Sequence, residues 1–166
     1  MTTKMASTKR AIIFLSTHIL FSFALAFLFL PSAWAGEDLS TLRSKAEAGD
    51  PKPQNNLGLL YENHPLDHQD ISKVVYWFSK AAHWYRLAAK QGYAKAQVHL
   101  GVLYQIGLGV GPQDAVKAAY WFRLAAKQGY VDAQNDLGDL YATGGPGLPQ
   151  DFSKAAYWHL LATGHH

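Results

Sequence analysis

The stretch from Ala96 to Tyr130, AQVHLGVLYQIGLGVGPQDAVKAAYWFRLAAKQGY, returns 37 residues later from Ala133 to Gly164 as AQNDLGDLYATGGPGLPQDFSKAAYWHLLATG. Gln97 maps to Gln134, Leu100 to Leu137, Tyr104 to Tyr141, Asp114 to Asp151 and Trp121 to Trp158. An earlier copy starts at Gln54 and carries Leu57-Gly58, Tyr61, Asp70, Lys73 and Trp77. Before it, LRSKAEAGD (Leu42 to Asp50) resembles only the closing part of a unit. Self-similarity at such a period is the signature of a stacked repeat architecture.

Each unit reads as two helices. In the first, Ala96, Leu100, Leu103 and Tyr104 recur at three- and four-residue spacing, which makes one apolar helical face. Gly101 costs about 1 kcal/mol against alanine there, yet it recurs as Gly58 and Gly138, which suggests that a partner helix comes close. The second helix opens at Asp70, Asp114 and Asp151, each starting an Asp-x-x-Lys stretch. Aspartate suits an N-cap because its carboxylate accepts the free backbone N–H groups. Ala118, Trp121, Phe122, Ala125 and Ala126 follow, and Gly92 and Gly129 end the helix as left-handed C′ residues. One such pair cannot bury its own apolar face, so the units stack into an all-α solenoid of antiparallel helix pairs. The expected layout is a half-repeat and linker over 36–53, then repeats over about 54–93, 94–130 and 131–166.

The order A-x-x-L-G-x-x-Y, G-x-G-V, P-Q-D-x-x-K-A, W-F and A-A-x-Q-G resembles the Sel-1-like repeats, close relatives of the tetratricopeptide repeats. The likeness runs over nearly the whole chain after residue 35. It implies an adaptor or scaffold protein, many of whose relatives are exported by bacteria, and it implies no shared catalytic residues. Cysteine-rich members staple each helix pair with a disulfide; this chain has no cysteine and departs from them.

The N-terminus reads as a secretory signal over 1–35. Lys4, Lys9 and Arg10 precede an uncharged run from Ala11 to Ala35, broken by Pro31 and closing on Ala33-Trp34-Ala35. Cleavage after Ala35 gives a periplasmic or secreted protein. The alternative is an uncleaved inner-membrane anchor, since the run is long enough to span a bilayer. The 15 Lys and Arg residues include those three; the other 12 face 12 Asp and Glu, so no nucleic-acid footprint is expected.

In tetratricopeptide-like solenoids the first helices line the concave surface. By that analogy the partner-binding positions are Asn55, Leu59 and Glu62, then Lys95, Val98, Val102 and Gln105, then Asp132, Asn135 and Asp139. The groove is apolar in the middle and acidic towards its C-terminal end, which suits a peptide or partner helix. Two further surfaces are candidates. YWFSKAA (Tyr76 to Ala82) and HWYRLAA (His83 to Ala89) look like a seven-residue duplication, worth about 10 Å of extra helix. That extension either is covered by its neighbours or presents an aromatic ridge of Trp77, Trp84 and Tyr85. At the other end, Leu160 and Leu161 are candidates for self-association through an uncapped edge.

Chemistry finds little purchase. Gly107-x-Gly109-x-Gly111 lacks the strand and Lys-Ser/Thr partner of a phosphate loop and reads as the turn between paired helices. His64, His68 and Asp67 share a loop, but Pro65 denies them helical spacing; they read as solvated, with no metal or cofactor expected. His99, at a position held elsewhere by Asn56 and Asp136, reads as a surface residue. Asp132, Asp136 and Asp139 read as a solvated acidic face. No nucleophile elbow is present. The expected function is therefore binding of a protein segment, with an envelope-organising protein as the alternative and a cell-wall or peptide hydrolase last.

Overall fold

The computed structural model describes residues 38–64 and 71–164. They form seven α-helices: α1 (Leu39–Glu47), α2 (Pro51–Glu62), α3 (Ile71–Lys90), α4 (Ala94–Ile106), α5 (Ala115–Ala126), α6 (Val131–Thr143) and α7 (Phe152–Ala162). No strand occurs among the described residues; Gly145 and Leu148 form one isolated bridge. Each helix packs on the one before and the one after it. This is the all-α stack of helix pairs that the repeat requires, with α1 as the closing helix of a half-unit. The proposed signal segment lies outside the described residues. Among them, no helix is long and apolar enough to cross a membrane.

Two of the three expected aspartate caps are seen, at Asp114 and Asp151; Asp70 lies outside the described residues. The Asp114 carboxylate accepts the Lys117 N–H at 2.9 Å, and Asp151 accepts the Lys154 N–H at 2.9 Å. The same carboxylates hold the lysine ammonium groups, 3.0 Å for Asp114–Lys117 and 2.7 Å for Asp151–Lys154. These contacts hold both aspartates below the usual carboxylate range, through hydrogen bonds to the Lys117 backbone and the Lys154 side chain first. Behind each cap the Asp backbone closes the turn: Asp114 N–H donates to Tyr104 C=O at 2.9 Å and Asp151 N–H to Tyr141 C=O at 2.8 Å. Gly107 caps α4 in the left-handed region, φ 70°, as the turn reading of that glycine run anticipates.

Packing within a pair is a ring laid on a glycine. Tyr85 lies over Gly58, Phe122 over Gly101 and the His159 imidazole over Gly138. A methyl group on Gly101 would sit 2.6 Å from Phe122 Cε1, and one on Gly138 would sit 2.7 Å from His159 Cε1. Tyr85 and Phe122 are wholly buried. Alanines do the rest: Ala81, Ala82, Ala88 and Ala89 on α3, and Ala118, Ala119, Ala125 and Ala126 on α5, are all buried. Small side chains let adjacent helices come close enough to pack their backbones.

Units are joined by a chain of glutamines. Gln54, Gln97 and Gln134 each donate through Nε2 to the last alanine carbonyl of the preceding helix, that of Ala46, Ala89 and Ala126, at 3.0, 3.1 and 3.2 Å. The oxygens of the first two are taken up in turn. Gln91 donates to Gln54 and Gln128 to Gln97, both at 2.8 Å. The glutamines of A-Q and A-A-x-Q-G, spaced one repeat apart, are thus the polar seam of an otherwise apolar stack. Gln54 and Gln97 are tolerated as buried polar groups because both ends of each amide are satisfied.

Candidate functional site

The ring-on-glycine contacts fix the register of the three units, and that register revises the reading of the duplication. Trp84-Tyr85 stands where Trp121-Phe122 and Trp158-His159 stand, with Ala81-Ala82 against Ala118-Ala119. Residues 83–89 are therefore the ordinary part of the unit. The surplus lies at the other end: α3 begins at Ile71, seven positions before Phe78, the counterpart of Ala115 at the start of α5. Trp77, not Trp84, is carried beyond the ordinary stack. Phe78-Ser79-Lys80-Ala81-Ala82 repeats Phe152-Ser153-Lys154-Ala155-Ala156 letter for letter, a signal from which the register could have been read.

Trp77, Trp84 and Tyr85 do not share one exposed ridge. Tyr85 is core, its hydroxyl donating to the Glu62 carboxylate. Trp84 is half-buried against Leu42, Ala46 and Leu57. Trp77 is covered by rings: His64 stacks on it at 3.8 Å and 14°, and Tyr61 lies 5.9 Å away at 21°. His64 is accordingly an aromatic cover for Trp77 and not a solvated loop residue; Pro65, Asp67 and His68 lie outside the described residues. Among the described residues no group of three metal-ligating side chains comes together.

The first-helix positions divide by what the packing uses. Asn55 is buried, 2 % exposed, and its Oδ1 has no hydrogen-bond partner among the described residues, so it does not belong to a binding surface. Its neighbours in the helix, Gln54 and Leu57, pull it into the stack. Glu62 is also committed to the fold: burial raises its pKa, against the lowering effect of the Tyr85 hydrogen bond. Leu59, Val98 and Val102 are half-buried against their neighbouring cores. Gln105 is half-exposed, while Lys95, Asp132, Asn135 and Asp139 stand exposed. Asp139 meets His159 Nε2 at 3.3 Å.

Two neighbouring polar residues are less solvated than their chemistry suggested. His99 stacks on Tyr85 at 4.8 Å and 15°, and burial, with Lys95 adding to it, lowers its pKa to about 4. The same position one unit later holds Asp136, whose pKa is raised to about 6 by burial and then by Asp132 and Asp139. The surface reading failed because this position faces the aromatic ring of the previous unit.

On the α3 extension an open groove of about 420 Å³ lies among Arg43 of α1, Tyr61 of α2, and Tyr76, Lys80, His83 and Trp84 of α3. At the far end of the stack, Tyr157 and Leu160 are 57 and 53 % exposed and Leu161 is half-buried.

This arrangement defines a helical-repeat solenoid, in which recurring rings, glycines and glutamines hold the stack. The chain belongs to the Sel1 repeat family, whose model matches residues 54–93, 94–130 and 131–163. Sel1 repeats generally serve as protein–protein interaction modules, and the proteins built from them are typically scaffolds. The structure is similar to that of a Sel1 repeat protein from Oxalobacter formigenes, with a TM-score of 0.66 and 31 % identity, covering 81 % of this chain and 95 % of that one. A protective antigen of uropathogenic Escherichia coli with an SLR fold, c5321, matches at 29 % identity and a TM-score of 0.49, over 78 % of this chain and 33 % of that one. The rat DAP3-binding cell death enhancer 1 is 38 % identical over 72 residues, 43 % of this chain. The match spans only 12 % of that relative's length.

Proposed function

We propose that this protein is exported after cleavage at Ala35 and acts as an adaptor, holding a segment of another protein against the first helices of its repeats. The observation that carries the reading is a division of labour along α4 and α6. Gln97, Leu100 and Leu103 build the stack, whereas Lys95, Gln105, Asp132, Asn135 and Asp139 remain at the surface without a part in the core. Half-buried Leu59, Val98 and Val102 give that surface an apolar floor between polar margins. A floor of that kind with charged edges suits an amphipathic or extended segment. Asn55 and Glu62 are not part of it.

The test is a photo-crosslinker at Gln105 in the full chain, expressed in its native envelope, followed by isolation of the adduct. One enriched protein, lost in the Asp132→Lys/Asp139→Lys double variant, supports the reading. Adducts unchanged by that variant would overturn it. Mass spectrometry of the isolated protein settles the export half: a chain starting at Gly36 fits cleavage, and an intact N-terminus favours the membrane-anchored organiser instead.

A further inference from the structure

The seven-residue extension of α3 changes the electrostatics of one spot that the other units keep neutral. In units two and three a lysine at the start of the second helix is tied to a carboxylate three residues before it, Lys117 to Asp114 and Lys154 to Asp151. In register, the first unit has Lys80 at the lysine position but Trp77 at the carboxylate position, since its Asp70 has been displaced seven residues upstream. Among the described residues Lys80 pairs with no carboxylate; its ammonium lies 5.3 Å over the Tyr76 ring. Tyr76 itself belongs to the added turns and is 51 % exposed. The extension therefore does two things at once: it removes an acid and it raises an aromatic wall.

The groove beside that wall collects the consequence. Arg43, Lys80 and His83 contribute positive or protonatable groups, Tyr61, Tyr76 and Trp84 contribute ring surface, and among the described residues no carboxylate lines it. Arg43 reaches the Tyr61 hydroxyl at 3.4 Å, and its contact with Glu47, 3.6 Å long, is exposed on both sides. Such a surface ion pair is weak and easily exchanged. We propose that this groove is a second docking site, distinct from the first-helix surface, for an acidic protein segment carrying an aromatic side chain. The segment's carboxylates pair with Arg43 and Lys80 while its ring packs on Tyr76 and Trp84. Charge complementarity with aromatic anchors is the usual make-up of a selective contact of this size.

The probe is a fluorescein-labelled octapeptide alternating glutamate with tyrosine, titrated into the full chain and followed by anisotropy, beside its lysine-for-glutamate counterpart. Saturable binding of the acidic peptide is expected, weakened about tenfold or more by Lys80→Glu and by raising the salt from about 0.05 to 0.5 M. Lys127→Glu, the same charge change at an exposed position outside both surfaces, should leave it unchanged. Lys80 holds nothing in the core, so K80E should melt with the wild type; Tyr76→Ala supplies an independent loss of the wall. Equal binding of the lysine peptide, no binding of the acidic one, or indifference to both K80E and Y76A would each overturn the proposal. So would K80E-sensitive binding to phosphatidylglycerol vesicles without peptide binding, which would make the groove a lipid contact. None of these outcomes bears on the crosslinks at Gln105.

Discussion

The Phe122 ring lies against α4 at Gly101, so closely that a single added carbon would stand 2.6 Å from Cε1. Because Phe122 is fully buried, it has nowhere to retreat. Gly101→Ala should therefore destabilise by about 1–3 kcal/mol, the usual cost of overpacking, although alanine is the better helix former. At Gly138 the opposing ring is His159, which is only half-buried and can swing aside. Urea unfolding should place G101A well below the wild type and G138A close to it. Adding Phe122→Leu to G101A should cost less than the two changes summed, since the shorter side chain vacates the contested space.

Gln97 makes a similar point with polar groups. Its amide donates to Ala89 C=O and its oxygen accepts from Gln128. Gln97→Ala strands a buried carbonyl and unpairs the second glutamine, and should cost about 2 kcal/mol. Gln128→Ala removes only the outer link, because Gln128 is exposed and water can replace it at Gln97; about 1 kcal/mol or less is expected. Equal midpoints for the two variants in urea would show that the seam does not hold the units together.

Removing Ile71 to Trp77 should leave a folded protein. The deletion joins Asp70 to Phe78 and recreates Asp-Phe-Ser-Lys-Ala-Ala, the sequence from Asp151 to Ala156 that starts an ordinary second helix. Among the described contacts, the lost turns forfeit the Trp77 stack with His64 and the burial of Val74, but not the Tyr85–Gly58 contact. The shortened chain should unfold in one cooperative transition with a smaller helical signal at 222 nm. It should also lose affinity for the acidic octapeptide, now that an aspartate stands three residues before Lys80.

The repeat made most of this fold legible. Leu100, Leu103, Phe122 and the alanine pairs announce their burial by spacing, and Asp114 and Asp151 announce their caps. The site was less legible, for identifiable reasons. Analogy with Val98 and Asn135 puts Asn55 on a surface, yet the first unit buries it. The polar residues Asn56 and Asp136 at its repeat position put His99 on the surface, whereas the ring beside it comes from Tyr85, a residue of another unit whose register the duplication conceals. Matching Trp77 to Trp121 hid the displaced aspartate; matching Phe78-Ser79-Lys80 to Phe152-Ser153-Lys154 reveals it, and with it the unneutralised Lys80.

His99 and Asp136 occupy one repeat position and give opposite dependences on pH. The His99 pKa is lowered to about 4 by burial and by Lys95, so between there and about 6.5 the unfolded chain binds the extra proton. Stability from His99 therefore rises with pH across that window. The Asp136 pKa is raised to about 6, by burial first, so between about 3.8 and 6 the folded chain holds the extra proton and stability falls as pH rises. In the wild type the two slopes oppose each other between pH 4 and 6. His99→Asn should leave a protein that weakens from pH 4 to 6, and Asp136→Asn one that strengthens over the same range. At pH 7, D136N should be more stable than the wild type by about 1 kcal/mol once solvent screening of this partly exposed carboxylate is allowed for. Thermal melts of the three proteins at half-unit pH intervals check the crossing. Parallel curves would mean that neither group is desolvated in the fold.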